Sequence, residues 1–154
     1  MPDGASPAPD NIRGFGWLDL ERLLVPPAAD SRQRFVDDRD LAVATDQVRT
    51  FSIRVVDPAT ALRVTLVWTD KPDRRLLNRL YLRLLPPAGG PPVDGDVTPF
   101  PHASNNAQRV HIDDPGTGVW TIEVHGLFVP VPVPALEPAL RQDFALAISN
   151  ADFA

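Results

Sequence analysis

From residue 50 onward, apolar side chains recur at every second position. Phe51, Ile53 and Val55 alternate with Thr50, Ser52 and Arg54, the period at which a β-strand turns one face to a core and the other to water. Leu62, Val64, Leu66 and Trp68 repeat the pattern against Arg63, Thr65 and Thr69, with Val67 an apolar exception on the polar side. Further on, Leu80, Leu82 and Leu84 alternate with Tyr81 and Arg83, and Val110 and Ile112 with Arg109 and His111. Trp120, Ile122 and Val124 alternate with Thr121, Glu123 and His125, and Phe144, Leu146 and Ile148 form the closing run. Phe35-Val36 suggests a short edge strand before the series begins.

Turn chemistry separates these runs. Asp57-Pro58-Ala59-Thr60, Thr69-Asp70-Lys71-Pro72-Asp73 and Asp113-Asp114-Pro115-Gly116-Thr117-Gly118 carry the residues that end strands and reverse the chain. Two proline-rich stretches, 86–101 and the polyproline-II-like 129–134, read as long loops. Helical spacing occurs once, where Leu20, Leu23 and Leu24 follow Trp17, with Asp19 and Glu21 in the first turn and Pro26-Pro27 as the stop. The pattern predicts an all-β chain: an antiparallel β-sandwich or jelly roll of about eight strands with one short N-terminal helix. Residues 1–11 are expected as a flexible lead-in, 12–27 as the helix and 28–154 as the sandwich.

Composition narrows the function classes. The 154 residues suffice for one domain with its own core, and 44% are hydrophobic. The 18 prolines favour short strands over helices. A formal net charge of -5 opposes nucleic-acid binding. The absence of cysteine removes disulfides, thiolate catalysis and cysteine zinc sites. No apolar run reaches the roughly 20 residues of a membrane span. Residues 1–7 have neither a basic nor an apolar leader region, so a signal peptide is not expected.

Candidate chemistry is sparse. Ser6, Ser31, Ser52, Ser104 and Ser149 all lie outside a Gly-x-Ser-x-Gly elbow, and His102 beside Ser104 is a neighbour in sequence only. His111 and His125 sit at outward strand positions and would form a surface metal pair if their strands were adjacent, but zinc needs a third and fourth ligand, and they are read as exposed polar residues on sheet faces. Carboxylates cluster at Asp37-Asp38-Arg39-Asp40, Asp70 with Asp73, Asp94-Gly95-Asp96 and Asp113-Asp114, as calcium sites and ordinary turns both require. Arg74, Arg75, Arg79 and Arg83 form a local basic patch, read as charge protecting an edge strand. Trp68 and Trp120 fall on apolar faces and are expected in the core, whereas Tyr81 falls at an outward position.

Several segments together resemble a known family. Gly14-Phe15-Gly16-Trp17-Leu18-Asp19-Leu20-Glu21-Arg22-Leu23-Leu24 resembles the end of a subtilisin-like serine protease catalytic domain. The remainder of the chain is similar to the C-terminal β-sandwich (jelly-roll) domain of the KP-43-type subtilases (peptidase S8). The matching segments are Leu62 through Asp70, Leu77-Asn78-x-Leu80-x-Leu82 and Asn105-Asn106-Ala107-Gln108-Arg109-Val110. Asp113 through Ile122 and Phe144 through Ser149 complete the series, so the likeness covers about residues 12–150. The family's Leu-Val-Asn-Asp-Leu-Asp-Leu reads Leu76-Leu77-Asn78-Arg79-Leu80-Tyr81-Leu82 here, with both acids replaced. The catalytic Asp, His and Ser motifs are absent from these residues.

The resemblance implies a chain without enzymatic activity of its own: an accessory domain that stabilises a protease catalytic domain and assists protein-substrate or partner binding. Trp17, Leu20, Leu23 and Leu24 would then form an interface to the subtilase catalytic domain, to another protein partner, or to a second copy in an oligomer. Neither nucleic acid nor membrane is expected as a partner. Calcium is the one cofactor suggested, at Asp70, Asp73 and Asn78. With Arg79 and Tyr81 where the family carries acids, Asp70 is expected to serve as a strand-end turn residue instead. The location would be extracellular if the chain belongs to a secreted protease; without a signal peptide, the sequence is also compatible with the cytoplasm. Two other readings are a carbohydrate- or cell-surface-binding jelly-roll module, and a structural protein assembling through the Leu-rich helix and the Pro-rich loops.

Overall fold

In the computed structural model, the described residues are 33–95, 105–133 and 138–154. They form β1 (Gln33–Asp37), β2 (Val48–Val55), β3 (Leu62–Val67), β4 (Arg79–Leu85), β5 (Val93–Asp94), β6 (Ala107–Ile112), β7 (Val119–Phe128), β8 (Ala145–Ser149) and β9 (Ala151–Phe153). The lead-in, the helix expected over 12–27 and its interface residues Trp17, Leu20, Leu23 and Leu24 lie outside the described residues.

The strands make two antiparallel sheets, one of four strands in the order β1-β8-β3-β6 and one of five in the order β5-β4-β7-β2-β9. Apart from the β4–β5 hairpin, every successive strand crosses to the opposite sheet. This alternation requires each strand to bury one face only, the pattern that the period-2 runs carry.

The core lies between the sheets. Leu62, Val64, Leu66, Val110, Leu146 and Ile148 come from one side, and Ile53, Leu80, Leu82, Leu84, Ile122 and Val124 from the other. Each such side chain contributes about 1.5–3 kcal/mol by leaving water. Val67 follows its strand's parity and stays 41% exposed. Trp68 and Trp120 are buried as expected, and each indole finds an acceptor: Trp68 donates to the Asn78 carbonyl at 3.0 Å and Trp120 to the Pro115 carbonyl at 3.2 Å.

Two short strands depart from the expected series. β5 lies within the stretch expected as a long loop, and β9 follows β8 after a single residue, Asn150. Asn150 has φ 64°, a left-handed conformation that asparagine tolerates, and there the chain leaves one sheet for the other. Its side chain donates to the carbonyls of Asp57 and Thr60 at 2.7 and 2.6 Å and accepts from the Asp57 N–H at 2.9 Å. That cluster fastens the β2–β3 turn to the end of β8. Within the turn, hydrogen bonds from the Thr60 hydroxyl and the Ala59 N–H hold the Asp57 carboxyl below its ordinary pKa.

Gly126 marks a close approach. A Cβ there would lie 2.1 Å from the Ala44 carbonyl oxygen. The segment preceding β2 crosses β7 at this point, with Gly126 donating to Gln47 at 2.8 Å and accepting from Asp46 at 2.7 Å. Among the described residues, no helix is long and apolar enough to cross a membrane.

Candidate functional site

Two places concentrate chemistry. The first is one end of the sandwich, where β3 runs out into the turn before β4. The Asp70 carboxylate accepts from the N–H groups of Lys71, Leu77 and Asn78 at 3.0, 2.5 and 3.2 Å, closing the 70–78 loop on itself. Asn78 is buried, and its amide donates to the Val131 carbonyl and to Gln142 Oε1, both at 2.8 Å, while its Oδ1 accepts from the Val131 N–H at 3.2 Å. Gln142 in turn donates to the Thr69 carbonyl at 3.1 Å, and Asn106 to the Trp68 carbonyl at 2.7 Å. Segments distant in sequence therefore converge on the end of β3 through side-chain amides, which donate and accept at once and carry no charge of their own.

This geometry places the three residues suggested for calcium. Asp70 and Asn78 come together, but the Asp70 oxygens face backbone donors and the Asn78 oxygen faces the Val131 N–H. Asp73 stands on its own turn, where its carboxylate accepts from the Arg74 N–H. Among the described residues, no three His, Asp or Glu side chains are grouped as a metal site needs. Beside the network opens a cleft of about 300 Å³, lined by Asp37, Asp38, Arg39, Asn106, Asp143 and Phe144 among others.

The second place is the outer face of the five-stranded sheet. The register sets Tyr81 opposite His125, and Arg83 opposite Glu123 on one side and Asp94 on the other. Arg83 Nε donates to Asp94 Oδ1 at 2.8 Å, and its guanidinium lies 5.5 Å from the centre of the Tyr81 ring. Tyr81 meets His125 edge to face at 5.9 Å, and His125 Nε2 is 2.9 Å from Glu123 Oε2. At the end of the strip the Arg79 guanidinium sits 5.7 Å from the centre of the Phe128 ring. Burial pushes the Tyr81 hydroxyl pKa up, aided by the neighbouring Asp94 carboxylate. Burial also pushes the Asp94 carboxyl up, but hydrogen bonds from Arg83 and Tyr81 outweigh it and hold the group below its usual value.

Several expectations change with the fold. His111 and His125 are not neighbours: His111 is on β6 of the four-stranded sheet and His125 on β7 of the five-stranded sheet. The imagined metal pair fails because parity tells inside from outside but not one sheet from the other. Each histidine instead faces a carboxylate two residues away on its own chain segment, Asp113 and Glu123. The basic patch also divides, since Arg83 is matched by Asp94 and Arg79 lies on Phe128, leaving Arg74 and Arg75 in the exposed turn. Ser52 and Ser149 lie on β2 and β8, while Ser6, Ser31, Ser104, His102 and Asp96 fall outside the described residues.

The buried amides Gln108, Gln142 and Asn150 were not anticipated as structural residues. Gln108 left a signal, because it shares the inward parity of Val110 and Ile112. From β6 it reaches across the core, donating to the Leu80 carbonyl and accepting from the Leu82 N–H, both at 2.8 Å. Those groups lie on the edge of β4 that the two-residue β5 leaves uncovered. Compared with known proteins, the chain matches no family model and no curated protein.

Proposed function

We propose that this chain is a non-catalytic accessory domain of jelly-roll type, serving a subtilisin-like serine protease by stabilising its catalytic domain and assisting partner or protein-substrate binding. One observation carries the reading: segments that bear the resemblance meet at one hydrogen-bonded end of the sandwich. There Gln142 joins Thr69 to Asn78, Asp70 accepts from the Leu77 and Asn78 N–H groups, the Trp68 indole donates to the Asn78 carbonyl, and Asn106 donates to the Trp68 carbonyl. A shared set of residues that does interior work of this kind is what a common scaffold preserves, whatever its surface binds. On this reading the chain acts outside the cell, beside the enzyme it supports.

The test is direct. The purified chain is added to a KP-43-type catalytic domain lacking its own C-terminal domain. Association is followed by sedimentation, and protease survival by its half-life on heating. Complex formation and a longer half-life are expected. Separate sedimentation with an unchanged half-life would refute the proposal.

A further inference from the structure

We propose that the outer face of the four-stranded sheet is the seat of the chain's own N-terminal apolar segment, with Trp17, Leu20, Leu23 and Leu24 packed over β8. The inference goes beyond the protease reading and does not depend on it. It gives that segment a place within its own molecule instead of on a partner.

The two outer faces of the sandwich differ. On the five-stranded sheet, rings and charges answer one another across the strands. On the four-stranded sheet the register sets Phe35, Ala147 and Thr65 in one row, and Asp37, Ala145, Val67 and Ala107 in the next. Phe35 is 65% exposed, more than any other large apolar side chain among the described residues, and Val67 is 41% exposed. β8 runs between them and turns Ala145, Ala147 and Ser149 outward. Small side chains on that strand, with Phe35 on one side and Thr65 and Val67 on the other, leave a shallow apolar trough. Its walls stand two strand spacings apart, roughly 9–10 Å, which matches the width of a helix with its side chains, about 10 Å.

Pattern, charge and tether together name the occupant. Trp17, Leu20, Leu23 and Leu24 fall on one side of a helical repeat, and a helix this short needs a surface to pack against before it is stable in water. Asp19 and Glu21 border that apolar side, while Arg63 on β3 and Arg109 on β6 stand on the face beside Thr65 and Val67. β1 begins at Gln33 on the edge of this same sheet, and only residues 25–32 separate it from Leu24. A tether of that length spans up to about 26 Å, against roughly 14 Å from β1 across to β6, so the segment reaches every strand of the face. Short tethers hold an effective concentration of about millimolar, so a second copy at about micromolar concentration competes at a disadvantage of about a thousandfold. The tethered segment is therefore favoured over a neighbour.

The test uses the full chain and exploits its lack of cysteine. A nitroxide is attached at Asp37→Cys, on the rim of the trough, or at Glu123→Cys, on the outer face of the other sheet. The amide signals of residues 20–24 are then followed by NMR in isotope-labelled protein. Attenuation of these signals from position 37 and not from position 123 is expected. No attenuation from position 37 overturns the proposal, as does equal attenuation from both. Attenuation that requires nitroxide and isotope on different molecules also overturns it, in favour of a second copy. Val67→Glu provides a second readout, because an exposed position accepts the charge without unfolding the sandwich. Amide exchange at residues 20–24 should quicken in this variant by about tenfold or more, while the amides of β7 keep their wild-type rates. Exchange at 20–24 that is the same in both proteins overturns the proposal. Neither measurement involves a protease, so a failure here leaves the half-life assay unaffected.

Discussion

Asn78→Ala is the substitution that best separates a structural amide from a metal ligand. Removing the side chain strips Val131 of the partners for both its N–H and its carbonyl, and strips Gln142 Oε1 of its donor. Each lost bond is worth about 1 kcal/mol net, and the buried Gln142 oxygen left without its donor costs about 1–3 kcal/mol more, whereas the part-buried Val131 groups can turn to water. Neighbouring losses overlap, so the expected total is about 3–5 kcal/mol. For a chain of this size that corresponds to a fall in thermal midpoint of roughly 10 °C, and in urea to a fall in the unfolding midpoint of about 2 M. The measurement is equilibrium urea unfolding of wild type, Asn78→Ala, Gln142→Ala and the double variant, each in excess calcium and in chelator. The two single changes should be strongly non-additive, because they remove the same bond. The deficit should be the same in calcium and in chelator, since a ligand stabilises only through binding to the native state. A cost below about 1 kcal/mol would refute the argument. So would a deficit that appears only with calcium, which would restore Asn78 as a metal ligand.

Three other perturbations test separate parts of the fold. Gln108→Leu should cost about 2–4 kcal/mol in urea unfolding, because it leaves Leu80 and Leu82 backbone groups unpaired inside the core; a neutral result would mean that water takes over those groups. Gly126→Ala should cost about 3 kcal/mol or more, or prevent folding, since its methyl would meet the Ala44 backbone at 2.1 Å; a normal circular-dichroism melt would show that the crossing segment can move away. Asp94→Asn tests the outer face through pH. The folded carboxyl is held low, so its contribution is fully present above the unfolded pKa of about 3.9 and disappears as pH falls through the folded value. The gap between the urea midpoints of wild type and variant should therefore be constant above about pH 5 and close under more acidic conditions, whereas a gap that widens with acid would contradict the Arg83 pairing.

How much of this was legible depends on what each signal encodes. Period-2 alternation reports which side of a strand is wet, so β2, β3, β4, β6, β7 and β8 could be read from it, down to the exposure of Val67. It carries no information about which strands pair, and the placing of His111 with His125 failed for that reason. β5 and β9, of two and three residues, are too short to show a period. The strand-end network was half visible. Asn78 and Asp70 stood out as residue types, but oxygen atoms at a turn suit calcium and backbone N–H groups equally. Only the position of Gln142, 64 residues from Asn78 along the chain, shows which of these demands is met.

If the chain is the accessory domain proposed above, the same geometry gives meaning to the two positions where its sequence differs from that family's pattern. Asn78 is followed by Arg79 and Tyr81, where that pattern has acids. On β4 these two alternate with the buried Leu80 and Leu82, so they face outward while the interior of the strand is unaltered. Replacing acids there leaves the core packing and the amide network as they are, and changes only what the five-stranded sheet shows to its surroundings. Arg79 brings a cation onto Phe128, and Tyr81 brings the ring that Arg83 and His125 hold. Cross-strand pairs of this kind, Tyr81 with His125 and Arg83 with Asp94, stabilise a sheet by about 0.2–1 kcal/mol each. On that reading the departures fall on the solvent face of β4 and leave the alternation that carries the fold untouched.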